Sequence, residues 1–202
     1  MPAFYEMVDG VRLPARLAGQ PALEFCNTRT GWDGRTAGEY LKEYDHLAVW
    51  AGYMGLLEPA RVAELRREGR RRARIAAGVL DRAWRFRSSL YEVLVGGSPK
   101  PAWNLVSGEV VAAAAALRLR RAGNAIHWEV RTEPALAAPL LAVAWSAGEL
   151  LTSADLEFVR ACPGTGCGWL FLDRRGRRRW CLMATCGNRE KARRFAARHH
   201  AR

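Results

Sequence analysis

The stretch CPGTGCGWLFLDRRGRRRWCLMATCGNREKARRF, residues 162–195, spaces four cysteines as C-x4-C-x13-C-x4-C at Cys162, Cys167, Cys181 and Cys186. Two close pairs separated by a short insert allow four thiolates to converge on one tetrahedral Zn²⁺, with Zn–S distances of about 2.3 Å. Buried thiols in an apolar core have no reason to fall into two matched pairs, and neither usual ferredoxin spacing is present for an iron–sulfur cluster. Four thiolates leave no open coordination position, so one structural zinc per chain is expected rather than a catalytic one. Trp169–Leu172 and Arg178–Cys181 read as two short strands around the polar insert 173–177, and Asn188–Arg198 is a good helix former. A ligand-bearing loop, a hairpin and a helix starting at the fourth ligand predict a treble-clef-like finger, in which the metal replaces the core that so short a segment lacks.

Charge marks the same segment. The chain has 202 residues with 32 Lys and Arg against 20 Asp and Glu. Residues 160–202 hold 12 basic and two acidic side chains, net +10, whereas residues 1–159 hold 20 and 18. Zinc with four thiolates adds a formal −2, and neighbouring arginines stabilise such a centre. Even so, the surplus points to an acidic partner, nucleic acid first. The domain boundary is therefore placed between a body, 1–159, and a finger, 160–202.

Working outward, the body reads as mainly α-helical with one β-hairpin. Leu41, Tyr44, Ala48, Ala51 and Met54 recur at helical spacing up to Gly55, and Pro59 opens a second helix. Ile75, Val79, Ala83, Phe86, Leu90 and Val93 form a further stripe. The run GGSPKP at 96–101 reads as a loop before a short helix over Leu105–Ala115. Leu117 and Leu119, then Ile126, Trp128 and Val130, alternate with polar residues around Ala122-Gly123-Asn124, which predicts the hairpin. Pro134 is expected to open a last helix through Leu136, Leu140, Val143, Ala147 and Leu150, with Ser153 capping a further turn. Trp32, Trp50, Trp84, Trp103, Trp128 and Trp145 are core candidates.

The basic helix after Cys186 suits the major groove. Asn188 and Arg189 are the candidates for base contact, because Asn pairs with adenine and Arg with guanine. Lys191, Arg193, Arg194 and Arg198, with Arg177 and Arg178 in the insert, are candidates for phosphate contact. Only Ala192, Phe195 and Ala196 are left to pack the helix. An Asn near a helix start also caps backbone amides, which is the plainer role for Asn188. Two other partners stay open: a protein docked on a zinc-stabilised surface, and RNA if Trp169, Phe171 or Trp180 is exposed for stacking.

The segment Cys162–Arg198, with Cys186-Gly187-Asn188-Arg189 and the preceding Arg-Arg-Trp-Cys-x-Met-x-x-Cys, resembles the CGNR zinc-finger family. Leu17-Ala18-Gly19, Pro21-Ala22-Leu23-Glu24-Phe25, Asn27-Thr28 and the Asp45–Leu57 helix resemble the ABATE domain that precedes this finger. The resemblance covers nearly the whole chain and implies zinc, DNA and a stress-induced, mostly bacterial regulator of transcription. A shorter loop after Asp173, and Arg175 where the family has Ser, are departures that leave the ligands intact.

Residues 1–159 carry no phosphate-binding Gly loop, H-E-x-x-H or G-x-S-x-G, so an enzyme is not expected. If the body senses a small molecule, Glu24, Asn27 and Arg29 are polar residues in an apolar segment and are the candidate pocket; the alternative is that Asn27 and Thr28 satisfy backbone groups at a turn. The N-terminus lacks a signal-peptide core and Ala135–Leu151 is too short to span a bilayer. A cytoplasmic protein without a membrane partner is expected, at the nucleoid when bound to DNA, with a homodimer left open.

Overall fold

The computed structural model describes residues 5–32, 34, 37–123, 125–131 and 135–200, with the side chains of 122, 127 and 198–200 outside that description. The expectations placed on Asn124 and Pro134, and on the side chain of Arg198, fall outside the described residues.

The chain opens with a hairpin, β1 (Tyr5–Val8) and β2 (Val11–Pro14), paired antiparallel through Asp9-Gly10. Both turn residues have positive φ, 48° and 81°, the backbone of a tight hairpin turn that Asp-Gly favours. α1 (Pro21–Cys26) follows, capped by Gln20, and leads into β3 (Arg29–Thr30) paired with β4 (Gly38–Glu39). Four longer helices build the rest of the body's first part: α2 (Tyr44–Tyr53), α3 (Pro59–Arg71), α4 (Ala73–Val95) and α5 (Lys100–Ala116). β5 (Leu117–Ala122) and β6 (Ala125–Val130) form the expected hairpin. α6 (Ala138–Leu151) enters from a short 3-10 turn at Ala135–Ala137, with Pro139 in its first turn, and Ser153 caps the next turn by accepting the Asp155 N–H.

α6 is the centre of the body. It is apolar on almost every side and touches α1, α2, α4 and α5, the pattern of a helix buried all round. Phe25, Trp50, Phe86 and Leu90 pack in the same core, and Phe25 lies 5.2 Å from the Trp50 ring.

Several expectations change. α5 starts at Lys100, five residues earlier than the stripe indicated, because Pro101 suits a first helical turn and does not end a loop. Trp103 and Trp128 are not core residues: they are 47% and 57% exposed, on the outer side of α5 and on the projecting part of the hairpin. The finger hairpin also differs. β7 (Val159–Ala161) pairs with β8 (Leu170–Leu172), so the first cysteine pair sits in the turn between them, and Arg178–Cys181 is not a strand. The Arg178 guanidinium binds carbonyls of this segment, including those of Trp180 and Cys181, and holds it as a wrapped loop.

The finger is seated on the body. Leu170 is buried in the main core, and its backbone makes two hydrogen bonds to the Asn27 side chain, donating to Oδ1 at 2.7 Å and accepting from Nδ2 at 2.9 Å. Tyr91 Oη donates to Gly168 O at 2.8 Å and Trp169 Nε1 to Arg29 O at 2.8 Å, while Trp32 stacks on Tyr91 with centroids 3.8 Å apart. Gly168, at φ +72°, has no room for a side chain, since a Cβ would meet Trp32 at 2.6 Å. Among the described residues no helix is long and apolar enough to cross a membrane.

Candidate metal centre and basic surface

The first knuckle follows β7. Cys162 N–H donates to Trp169 O at 2.8 Å and Cys167 N–H to Gly164 O at 2.9 Å, a tight turn that aims both thiols inward. Cys181 ends the wrapped loop, and Cys186 lies in a π-helical turn, Met183–Gly187, that runs into α7 (Asn188–His200). All four Sγ atoms are within 4.8 Å of one another, and Cys181 Sγ lies 3.6 Å from both Cys167 Sγ and Cys186 Sγ. Tetrahedral zinc with bonds of about 2.3 Å requires S···S edges of about 3.8 Å, so the thiols fit that ion. Gly164 allows the close approach: a Cβ there would lie 3.1 Å from Cys186 Sγ.

Without a cation such a cluster cannot hold four negative charges. Hydrogen bonds with Cys162 push the Cys167 and Cys181 thiols far above their ordinary range, and the bond with Cys167 brings Cys162 down to about 7. Arg189 Nη2 donates to Cys186 Sγ at 3.4 Å and offsets part of that charge. Cys26 is not part of the set; it is fully buried in the body, and burial pushes its thiol up to about 12.

α7 has three distinct sides. Glu190, Arg193, Arg194 and Ala197 face a groove shared with Arg179 and Trp180. Arg193 Nη1 donates to Thr165 Oγ1 at 2.6 Å, tying the helix to the first knuckle, and Glu190 accepts from both Arg193 and Arg194. That pairing, with Arg194 first, holds the Glu190 carboxyl below its usual range. Lys191 and Phe195 project on a second side, and Phe195 is 60% exposed instead of packing the helix as its sequence position indicated. The helix needs little packing because its base is fixed by Cys186 and the π turn. On the third side Asn188, Arg189 and Ala192 line a cleft of about 790 Å³ whose far wall belongs to the body, through Arg12, Thr30 and Tyr40. The two candidates for base contact therefore face the cleft and not the Arg193 groove.

The 173–183 loop forms a second basic groove of about 900 Å³, lined by Arg175, Arg177 and Arg179. Arg175 and Arg179 were visible in the RRGRRR run but not separated from it by sequence alone. Arg178 departs from its expected role. Its guanidinium donates to Leu17 O at 2.8 Å, to Trp180 O at 3.2 Å and to Cys181 O, and lies 4.4 Å from the Phe171 ring centroid. It therefore clamps the ligand loop to the body from the wall of that groove, with Nε, Nη1 and Nη2 all engaged on carbonyls. Arg174 is paired with Asp155. Trp169 and Phe171 are buried, which removes both as stacking platforms and leaves only the half-buried Trp180.

Glu24, Asn27 and Arg29 do not converge. Glu24 Oε1 accepts the N–H groups of Leu17, Ala18 and Gly19 at 2.7, 2.6 and 3.3 Å, and Asn27 bridges to Leu170. Both are used on backbone, and only Arg29 lines a cavity, a small one beside Trp84 and Arg87. The turn alternative accounts for Thr28, which donates to Phe25 O at 2.6 Å; Asn27 instead joins the two parts of the chain.

Comparison with known families agrees with this architecture. A profile described as "CGNR zinc finger" matches residues 159–199, the segment with the four-thiol centre and α7. A second, described as "Putative stress-induced transcription regulator" and named ABATE, matches residues 19–154. No curated protein matches the chain. The match to residues 19–154 covers well over half of the sequence, and with the finger behind it the chain belongs to the ABATE family with a C-terminal CGNR zinc finger.

Proposed function

We propose that the protein is a DNA-binding regulator in which one structural zinc per chain, held by Cys162, Cys167, Cys181 and Cys186, fixes the base of α7 so that its outer sides meet duplex DNA. The observation that carries this reading is the continuity of the basic surface. Arg193 and Arg194 share one groove with Arg179 and Trp180, and the same Arg179 and Trp180 line the adjoining groove with Arg175 and Arg177. Phosphate contact falls to Lys191, Arg193, Arg194 and Arg198 on α7 and to Arg177 and Arg179 on the loop. Asn188 and Arg189, which face the cleft, are left out of this contact set, and Arg178 acts through the fold of the ligand loop.

The test is a titration of random-sequence duplex against salt. Log affinity falls linearly with log salt, by about 0.9 per phosphate neutralised, so the four contacts of α7 give a slope near −3.6 and all six a slope near −5.4. Arg194→Ala weakens every sequence alike and flattens the slope by about 0.9. If duplex DNA shows no salt-sensitive binding at low ionic strength and an acidic protein binds instead, the surface is a docking site and the regulator reading fails.

A further inference from the structure

The cleft between finger and body is built from both parts of the chain. Its floor is apolar and aromatic, with Trp169, Tyr40, Ala184 and Ala192, and its rim carries the hydroxyls of Thr165 and Thr185. At about 790 Å³ it falls within the size range of small-molecule sites. Two guanidiniums reach it from opposite walls, Arg12 from β2 and Arg189 from α7, and no carboxylate lines it. Neither arginine forms an ion pair with a carboxylate among the described residues. Arg12 lies over the Tyr5 ring at 3.7 Å, and Arg189 uses one N–H on Cys186 Sγ, leaving further donors for a ligand.

We propose that this cleft binds a small aromatic carboxylate, its ring against the half-buried Tyr40 with Ala184 and Ala192 beside it, and its carboxylate between Arg12 and Arg189. A planar carboxylate matches the fork of donors on an arginine, and a bare phosphate would leave the apolar floor uncovered. A molecule bound there touches the body and the first turn of α7 together, which gives the regulator reading above its effector. The proposal rests on that reading only for its regulatory meaning, since binding is read directly.

The experiment uses the zinc-loaded full chain and isothermal titration with naphthoate and benzoate, with naphthalenemethanol as the neutral analogue and inorganic phosphate as the bare anion. One naphthoate per chain is expected, with the alcohol and phosphate at least about tenfold weaker. Arg12→Gln, remote from the zinc ligands, weakens naphthoate by about tenfold, and Ala192→Trp, which fills the cleft from an exposed helix position, abolishes binding. Zinc content and thermal midpoint stay at wild-type values in both variants. Equal binding of the alcohol, unchanged binding in both variants, or no binding of either carboxylate at millimolar concentration overturns the proposal. The salt slope on DNA, measured on the same samples, reports separately on the regulator reading.

Discussion

Asn27→Ala removes the side chain that joins finger and body. Both hydrogen bonds at this position go to the backbone of Leu170, which is fully buried, so truncation leaves a buried N–H and a buried C=O without their partner. Each such group costs about 1–3 kcal/mol. Allowing for partial relaxation and water entry, a loss near the lower half of the combined range, about 3 kcal/mol, is expected. In a chain of 202 residues 1 kcal/mol moves the thermal midpoint by about 2–4 °C, so the midpoint should fall by about 6–12 °C. Differential scanning calorimetry on zinc-loaded protein measures this, with Ser107→Ala on the exposed side of α5 as a control that stays within about 0.5 kcal/mol. A shift of about 1 °C or less for Asn27→Ala would show that the amide does not hold the finger to the body, and would return Asn27 to the pool of ligand-binding candidates.

Other outcomes follow from the same contacts. Cys181→Ser should lose stoichiometric zinc by metal analysis and disorder α7, while far-ultraviolet circular dichroism keeps the signal of the body's helices. Glu190→Gln should remove the ion pairs of Arg193 and Arg194 to that carboxylate and strengthen duplex binding at low salt, by fluorescence anisotropy; weaker binding would mean the carboxylate orients the arginines for contact. Arg178→Met should lower zinc affinity about 10–100-fold in a chelator competition, because the guanidinium braces the ligand loop, and should leave the salt slope of DNA binding unchanged in zinc-saturated protein. Burial raises the Glu24 pKa above 4.5 despite three backbone N–H bonds. The folded state therefore keeps the proton longer than the unfolded one, and stability falls as pH rises through the window just above 4.5. Glu24→Gln keeps an oxygen for those N–H groups and should flatten that fall in denaturant melts taken across the window.

What was legible in the sequence was what local spacing encodes. The cysteine pairs appear as a cluster, α2 ends at Tyr53 just before Gly55 with φ +71°, Pro59 opens α3, and Gly123 turns the β5–β6 hairpin. The β1–β2 hairpin carried its own signal, Asp9-Gly10 between alternating residues, and could have been read the same way. What was not legible is set by contacts far apart in the chain. Nothing near residue 27 shows that Asn27 pairs with Leu170, 143 positions away, or that Arg178 reaches Leu17. For the same reason a run of arginines could not be divided into the half-buried Arg178, which holds the loop, and Arg175, Arg177 and Arg179, which are exposed. Sequence reasoning set Ala192 apart from Asn188 and Arg189 as a packing residue, and only the fold shows that all three line one cleft with Arg12 and Tyr40 opposite them.

In the proposed function, zinc holds α7 in place for DNA. Anisotropy of a labelled duplex at low salt, measured with zinc-loaded protein, after chelation and after zinc is returned, tests it directly. Salt-sensitive binding should be lost on chelation and restored by stoichiometric zinc, because the metal supplies much of the folding free energy of the segment that orders the helix base. Binding that persists unchanged in metal-free protein, or fails to appear in zinc-loaded protein, would contradict it.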